Sequence, residues 1–364
     1  MMAPSTKYTR STGHFWPMRP VHIPTIGLGL LLVFTSPASL SGQGDWDIGF
    51  TAGMSNYMGD IGDGFSSRRD FVWDMQELRT RPAFGLFARR KLDQDGLWWV
   101  RGDFMRVHIA GHDKHTDYDA RRGRNLHFRN HMTEASFRIE RDLFQKPLVW
   151  ARQRRAMVTV RAFVGFAYFE HNPEAQVDPN NPAFDALKEA GLTSDGQWHS
   201  LPELQTEGVD YSDDLSLTTI PFGLSAVVTG QKKGGASDFY VGLELGFRLT
   251  DTDYLDDISS FYADPSQMSA LGAALSSQAN EVVMTDAENN GANPIDHSIV
   301  NHQWHSEDHY VIRGNKANND AYGTLVVSFG KVLNGRSNSF NRSRSRYGNK
   351  RGGGLFKKRT RMRF

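Results

Sequence analysis

The chain has 364 residues, enough for one large domain or two ordinary ones, and it contains no cysteine, which excludes a disulfide scaffold, a thiolate metal site and a cysteine nucleophile. Its 42 basic and 41 acidic residues nearly cancel, but residues 1–41 carry +3 and residues 336–364 carry +11, which leaves −13 on the body between them. Abundant aromatic residues and glycine favour strands and turns over a helix bundle.

The N-terminal segment 1–42 has the layout of an export signal. A basic start precedes an apolar stretch from Ile23 to Phe34, and small residues follow from Ala38. That order of regions predicts a secretory signal peptide, with cleavage between Ala38 and Gln43. The apolar stretch is about a dozen residues long, shorter than the ~20 that a membrane-spanning helix needs, so an uncleaved anchor is the weaker alternative.

Eight segments of the predicted mature body, residues 43–335, alternate apolar and polar residues with a period of two. In chain order they are "WDIGFTAGMSNY", "RPAFGLFARRK", "LWWVRGDFMRVHIAG", "HMTEASFRIERDLF", "VTVRAFVGFAYFE", "LTTIPFGLSAVVTG", "DFYVGLELGFRLT" and "AYGTLVVSFGKVL". Short connections at 93–96, 143–157 and 230–237 alternate with long ones at 58–80, 112–130, 170–216 and 251–320. This pattern predicts an all-β fold, an eight-stranded antiparallel transmembrane β-barrel with short periplasmic turns and long extracellular loops.

The polar face of these segments carries charges of both signs. Eight strands enclose an interior just wide enough for side chains, so we expect a filled lumen and no water channel. Pairing between acids and bases would offset their desolvation. The sequence therefore predicts a lumen charge network of Asp47, Arg101, Asp103, Glu134, Arg138, Glu140, Arg161, Glu244 and Arg248.

Several aromatic residues lie near the predicted strand ends. Tyrosine and tryptophan favour the membrane–water interface because their rings are amphipathic. We expect an interfacial aromatic girdle that includes Trp46, Trp98, Tyr168 and Tyr322.

The longest connection, 251–320, contains two clusters of possible metal ligands. "PIDHSIVNHQWHSEDHY" holds His297, His302, His305 and His309, and imidazole with carboxylate can bind zinc or another transition metal. Their spacing supplies no convergent geometry, so polar loop histidines are the plainer interpretation, and we expect no metal and no cofactor. "TDTDYLDD" offers carboxylates for calcium but lacks the glycine and the spacing of a known calcium loop. We expect a solvated acidic stretch there, where the seventh strand leaves the membrane.

Motifs for nucleotide binding and for catalysis are not found in the sequence. The glycines of "GDIGDG" precede no helix that could hold a phosphate, which argues against nucleotide binding. Neither a nucleophile elbow nor a local Ser-His-Asp pattern is present. We therefore expect no catalytic residue and no enzymatic activity.

The C-terminal segment 336–364 is basic, low in complexity and expected to be a disordered periplasmic tail. Arginine with glycine and aromatic residues resembles RNA-binding tails, but an exported protein is not expected to meet nucleic acid. The expected target is an anionic periplasmic partner, either lipid head groups, a cell-wall polymer or an acidic protein surface. A merely solubilising tail is the alternative.

Several segments resemble one protein family. "WDIGFTAGMSNYMGDIGD" and "RPAFGLFARRKL" are similar to the first two strands of PorG-type outer-membrane proteins of the type IX secretion system in Bacteroidetes, a DUF6089-like group. "TDYLDDISSFYADPSQM" resembles the most recognisable block of that family, with a short helix after it, and "RGNKANNDAYGTLVVSFGKVL" resembles the last strand. The family-signature loop comprises Asp253, Tyr254, Leu255, Asp256 and Asp257.

The resemblance implies an eight-stranded barrel in the cell outer membrane that takes part in protein transport without catalysis. It further implies a tether between the outer membrane, whose lipid surrounds the barrel, and periplasmic ring components similar to PorK and PorN. The His-rich stretch 294–310 and the tail beyond Gly335 are longer than in the family. A stand-alone barrel that acts as an adhesin or envelope stabiliser is the alternative function, and an outer-membrane lipid enzyme is a third.

Overall fold

The computed structural model describes residues 46–62, 75–93, 97–116, 119–150, 154–213, 215–232, 235–279, 312–316 and 319–333, all within the unit Gln43–Phe364. The predicted signal segment 1–42, the four candidate histidines of the longest connection and the basic tail 336–364 lie outside these residues. No helix among the described residues is long and apolar enough to cross a membrane.

The described residues form ten strands, and eight of them build a closed barrel. In chain order the strands are β1 (Trp46–Met58), β2 (Arg81–Lys91), β3 (Trp98–His112), β4 (His127–Trp150), β5 (Arg154–Glu170), β6 (Pro173–Gln176), β7 (Trp198–Ser200), β8 (Ser216–Lys232), β9 (Gly235–Thr250) and β10 (Ala321–Val332). The wall has the order β3-β2-β1-β10-β9-β8-β5-β4, and pairing of β3 with β4 closes it. Every pairing in the wall is antiparallel. The predicted fold is confirmed.

Strand register fixes the stagger of the barrel. Paired residues can be followed from Trp46 once around the wall, and the path returns to β1 at Asn56, ten residues further along. Eight strands with this stagger tilt by roughly 40° and leave an interior that side chains fill. The path runs through Trp46, Arg90, Val100, Ile139, Val164, Phe222, Phe247, Gly323 and Asn56.

The outward and inward faces of the wall differ in chemistry because successive residues of a strand point to opposite sides. Large apolar side chains on the outside are about half exposed, and they include Ile48, Phe50, Phe84, Leu86, Phe104, Val164, Phe166, Leu224, Leu243 and Phe329. The inward positions hold buried polar and charged groups. With short connections at one end and long ones at the other, this is the architecture of an outer-membrane β-barrel.

The hairpins at the short-connection end are tighter than predicted. β4 and β5 leave only residues 151–153 between them, and β8 and β9 leave only 233–234, so most of the predicted turn 143–157 is strand. The register of β4 shifts between Asp142 and Phe144. Such a bulge adds one residue to a strand and puts the apolar pattern out of phase beyond it, which is why the sequence pattern ended early.

The described parts of the long connections are folded against the barrel and one another. They contain three short α-helices, α1 (Asp119–Arg124), α2 (Phe184–Glu189) and α3 (Ala270–Ser276), the last of which is the short helix expected after the signature block. The Ser269 side chain begins α3 by accepting a hydrogen bond from the amide of Gly272 at 3.0 Å. An apolar cluster joins β6, α2 and α3 through Ala175, Val177, Phe184, Leu187, Leu201, Ala274 and Leu275.

Gly330 of β10 permits the ring of Tyr240 to lie against the backbone inside the barrel. A Cβ at position 330 would lie 2.0 Å from Tyr240 Cζ, whereas one at Gly323 of the same strand would lie 3.5 Å from its nearest neighbour, the Phe247 ring. We expect Gly330→Ala to lower the free energy of unfolding by about 1–3 kcal/mol and the control Gly323→Ala by no more than ~0.5 kcal/mol. Urea titration of the detergent-solubilised protein measures both, and equal stability of the two variants would contradict the packing described.

Candidate functional site

All nine residues of the predicted lumen network are buried and lie inside the barrel. Arg138 occupies its centre, with Nε 3.0 Å from Asp103 Oδ2 and Nη1 2.5 Å from Glu244 Oε1. Arg101 contacts the same two carboxylates, Asp103 at 2.6 Å and Glu244 at 2.9 Å. Two arginines therefore share two carboxylates, and each positive charge lies between negative ones.

Toward the long-connection end, Arg248 and Glu134 continue the network. Arg248 Nε lies 3.1 Å from Glu134 Oε2, and the Tyr322 hydroxyl donates to the same oxygen at 2.6 Å. The prediction that Tyr322 belongs to an interfacial girdle is therefore wrong. It lies near a strand end, but it alternates in phase with the inward Thr324 and so points into the lumen. Trp98 stays on the outside.

Toward the short-connection end, the network contains two residues that the sequence prediction missed. Arg89 contacts Asp47 and lies 3.2 Å from Glu140 Oε2, and Asp142 pairs with Arg161. Arg89 alternates in phase with the inward Phe87, so strict period two would have revealed it. Asp142 follows Glu140 by two residues and could have been found in the same way.

Above the charges, the lumen is closed by an apolar layer. Its buried members from the wall include Val107, Ile109, Phe128, Met132 and Phe169. Leu255 and Ile258 of the longest connection join the same cluster and are fully buried. Charges below and apolar side chains above thus fill the barrel along its described length, and the expectation of a lumen without a water channel agrees with this packing.

The family-signature loop lies inside the protein, so the expected solvated acidic stretch is wrong. Asp256 and Asp257 are only 2% and 1% exposed, and Asp253 is buried as well. Asp257 adopts a positive φ of 67° and accepts hydrogen bonds from Thr206 and Tyr211. These donors come from the connection between β5 and β8. Local sequence therefore could not show that the aspartates have partners.

Arg313 joins distant parts of its own connection, between β9 and β10, to the connection between β5 and β8. Its Nη2 lies 3.3 Å from Asp257 Oδ2, its Nη1 lies 3.1 Å from Glu207 Oε1, and its Nε donates to the Ser276 carbonyl at 3.3 Å. Glu207 in turn accepts from the amides of Ser259 and Ser260 at 2.9 and 3.0 Å. Arg313 and Glu207 carry no local motif, and only the fold brings them to the aspartates.

A second buried arginine ties this layer to the barrel mouth. Arg124 pairs with Asp113 at 2.7 Å and donates to the backbone carbonyls of Asp60 and Arg313. We call this layer the outer cap, and define it by Asp60, Asp113, Arg124, Glu207, Asp256, Asp257, Arg313 and Asp320. It closes the long-connection end of the barrel with charge pairs that are shielded from solvent.

The hydroxyl of Tyr57 lies between two carboxyl groups of the cap. It is 2.7 Å from Asp256 Oδ2 and 2.5 Å from Asp320 Oδ1, and it accepts from the amide of Asp60 at 3.0 Å. One phenol has one proton, so it can donate to only one of the two carboxyls. Burial and mutual repulsion raise the pKa of the pair Asp256 and Asp320 well above the usual range. The raised pKa favours a protonated carboxyl group in this pair, and such a group can donate its proton to the phenol.

This proton makes the cap sensitive to pH. Groups whose pKa is raised on folding bind protons more tightly in the folded state, so cap stability is greatest at acidic pH and falls as pH rises above about 4. Asp60, Asp253 and Arg124 also act on the pair. We expect the protection factors of the Leu255 and Ile258 amides, which compare the observed exchange with that of a free amide at the same pH, to be lower at pH 8 than at pH 5. Asp256→Asn supplies a permanent donor and should flatten this dependence, whereas the exposed control Asp185→Asn should keep it; identical pH profiles for the two variants would contradict the shared proton.

No group of three or more His, Cys, Asp or Glu side chains in the described part of the chain is arranged to hold a metal ion. His297, His302, His305 and His309 lie outside that part, so their role stays a prediction. The polar groups of the lumen and the cap hold one another in place. Their arrangement can seal a barrel and fix its outer surface.

Comparison with known proteins gives a family match and likenesses to solved structures. Residues 27–185 match a family profile described as a domain of unknown function, DUF6089. No curated protein matches the chain. Among solved structures, the attachment invasion locus protein Ail of Yersinia pestis, in complex with the heparin analogue sucrose octasulfate, is 9% identical, with 80% of this chain and 97% of that chain covered and a TM-score of 0.29.

Proposed function

We propose that the protein resides in the cell outer membrane and is a non-enzymatic structural component of a protein secretion system of type IX, where it tethers a periplasmic ring. The observation that carries the proposal is the combination of an apolar exterior with a lumen filled by ion pairs. Lipid suits that exterior. A filled lumen gives no path for a solute, so the function must depend on the surfaces at the two ends.

The secretion role is supported by the segments that resemble PorG-type proteins and by the match to DUF6089 over residues 27–185. The signature loop forms part of the outer cap, which explains in physical terms why so many aspartates occur in one short block. The proposed partners are ring components similar to PorK and PorN, and they meet the end that carries the short hairpins and the tail 336–364. The tail itself is proposed to contact an anionic periplasmic surface.

The absence of catalysis is part of the proposal. The inward carboxylates and arginines are engaged with one another at hydrogen-bond distance, and the apolar layer above them closes the lumen to a substrate. Hydrolase and acyl-transfer assays on the purified barrel should therefore show no turnover. Turnover that is lost when a single inward serine or histidine is replaced would overturn this part.

Deletion of the gene together with cross-linking tests the secretion role. We expect proteins with a C-terminal sorting domain to accumulate in the periplasm of the deletion strain, and cross-linked ring subunits to co-purify with the full chain from detergent-solubilised membranes. A chain lacking residues 336–364 should still fold but should recover less of the ring. Normal secretion after deletion, with the barrel recovered alone, would instead favour a stand-alone adhesin or envelope stabiliser.

A further inference from the structure

The outer surface of the barrel carries three matched pairs of a cation and an aromatic ring at its short-connection end. Each pair is directly opposed across two neighbouring strands, and each cation lies over the ring of its partner. The pairs and the distances from cation to ring centroid are Arg90 with Trp46 at 5.3 Å, Arg141 with Trp98 at 4.9 Å and Lys331 with Phe239 at 5.7 Å.

The three cations face away from the lumen network. Arg141 and Lys331 are exposed, and Arg90 is half-buried. Within the described residues, no carboxylate pairs with any of the three. We call Arg90, Arg141 and Lys331 the basic collar. In the described part of the nearby β2–β3 turn, Asp93 accepts hydrogen bonds from the amides of Leu97 and Trp98 and forms no ion pair with the collar.

The other end of the outer surface has no such single-sign ring among its described residues. Its exposed charges are of both signs, with Arg106 on β3, Glu170 at the end of β5 and Asp251 just beyond β9. Short connections of an outer-membrane barrel lie on the periplasmic side. The collar therefore lies at the level where the phosphates of the periplasmic leaflet meet the protein, and aromatic rings favour that interface.

An apolar groove of about 780 Å³ runs along the wall beside the collar. Lys331 lies at its polar edge, and the lipid-facing part of its lining comprises Ile48, Phe50, Leu86, Val228, Phe239, Val241 and Phe329. Gly49 and Gly330 form part of the same lining. The groove thus joins an apolar surface to an ammonium group that has no carboxylate partner among the described residues.

We propose that this groove binds an anionic phospholipid of the periplasmic leaflet, with one acyl chain along β1, β10 and β9 and the phosphate at Lys331. Arg90 and Arg141 extend the same electrostatic attraction around the wall to neighbouring head groups. In a bilayer the acyl chain gains no hydrophobic transfer energy by entering the groove, because lipid is equally apolar. The selectivity for anionic lipid therefore comes from the contact between the phosphate and Lys331. The fit of the acyl chain in the groove determines where on the wall the lipid binds. This inference rests on the proposed membrane location but not on the secretion role.

Native mass spectrometry of the full chain in detergent tests the electrostatic part. Phosphatidylglycerol is compared with phosphatidylcholine of the same acyl composition. We expect about tenfold tighter retention of phosphatidylglycerol, and loss of that preference in the triple variant Arg90→Gln, Arg141→Gln, Lys331→Gln. The matched control is Arg106→Gln, an exposed arginine at the other end of the outer surface. Equal retention of both lipids by the natural chain, or an unchanged preference in the triple variant, overturns the proposal.

Two tryptophan substitutions on one strand test the groove. Val241 and Leu245 are 46% and 45% exposed on the same face of β9, and only Val241 lines the groove. Val241→Trp should weaken retention of long-chain phosphatidylglycerol several-fold, and Leu245→Trp should leave it unchanged. Equal effects of the two variants overturn the acyl-chain site, as does complete displacement of the lipid by inorganic phosphate. A barrel that lacks lipid preference but still restores secretion in the deletion strain refutes this inference alone.

Discussion

Replacing Arg138 with leucine is expected to destabilise the barrel by about 3–5 kcal/mol. Arg138 is fully buried, and its removal leaves Asp103 and Glu244 with Arg101 as their only shared arginine in the described network. The uncompensated negative charge cannot reach water through the apolar layer above it. Urea-induced unfolding in detergent micelles, followed by tryptophan fluorescence, measures the loss.

A matched variant and a second substitution separate charge from packing. Arg106→Leu removes an exposed arginine from the outer face of β3, in the wall of the same barrel. This variant should lower the free energy of unfolding by less than ~1 kcal/mol. Adding Glu244→Leu to Arg138→Leu removes the excess negative charge and should recover at least half of the lost stability. If Arg138→Leu is as stable as Arg106→Leu, the lumen charges do not hold the barrel together.

Replacing Arg313 with leucine is expected to open the outer cap while the barrel stays folded. Glu207 and Asp257 would then be buried without their common cation, at a local cost of about 3–5 kcal/mol. The lumen network shares no ion pair with Arg313, so the wall keeps its own contacts. Hydrogen exchange at the amides of Ser259 and Ser260, which donate to Glu207, reports the opening.

The exposed ion pair between Lys188 and Asp195 in the same outer layer provides the control. Its members are 47% and 71% exposed and lie 2.9 Å apart. Lys188→Leu should leave the exchange of Ser259 and Ser260 unchanged, because exposed pairs contribute little. Protection of those amides in Arg313→Leu equal to that in Lys188→Leu would show that Arg313 does not secure the cap.

The barrel could be predicted from sequence because its determinants are local. Alternation along each strand assigns a face to each residue, and the order of short and long connections assigns an end to each loop. Arg138 and Glu244 were accordingly placed in the lumen, and the structure puts them 2.5 Å apart. Within the strands, the prediction omitted Asp142, before the bulge, and placed Tyr322 on the wrong face. The alternation of inward and outward residues nevertheless continues to both positions.

The outer cap could not be predicted because its determinants are distant in the chain. Asp257 lies 56 residues from Arg313, and Tyr57 lies 199 residues from Asp256. When only the local sequence is considered, a run of aspartates predicts a solvent-exposed acidic segment. Partners from other connections reverse that interpretation, since a buried carboxylate with donors is stable and one without them is not.

The contact of Tyr57 with Asp320 joins residues 263 positions apart, one near the end of β1 and the other directly before β10. These two strands form the seam at which the first and last parts of the wall meet, with Tyr57 opposite Tyr322 in the register. During assembly, an open sheet of the same strands would leave the phenol and the carboxyl group apart. The hydrogen bond between the phenol and the carboxyl group can therefore form only after β1 has paired with β10. An intact cap thus requires a closed barrel.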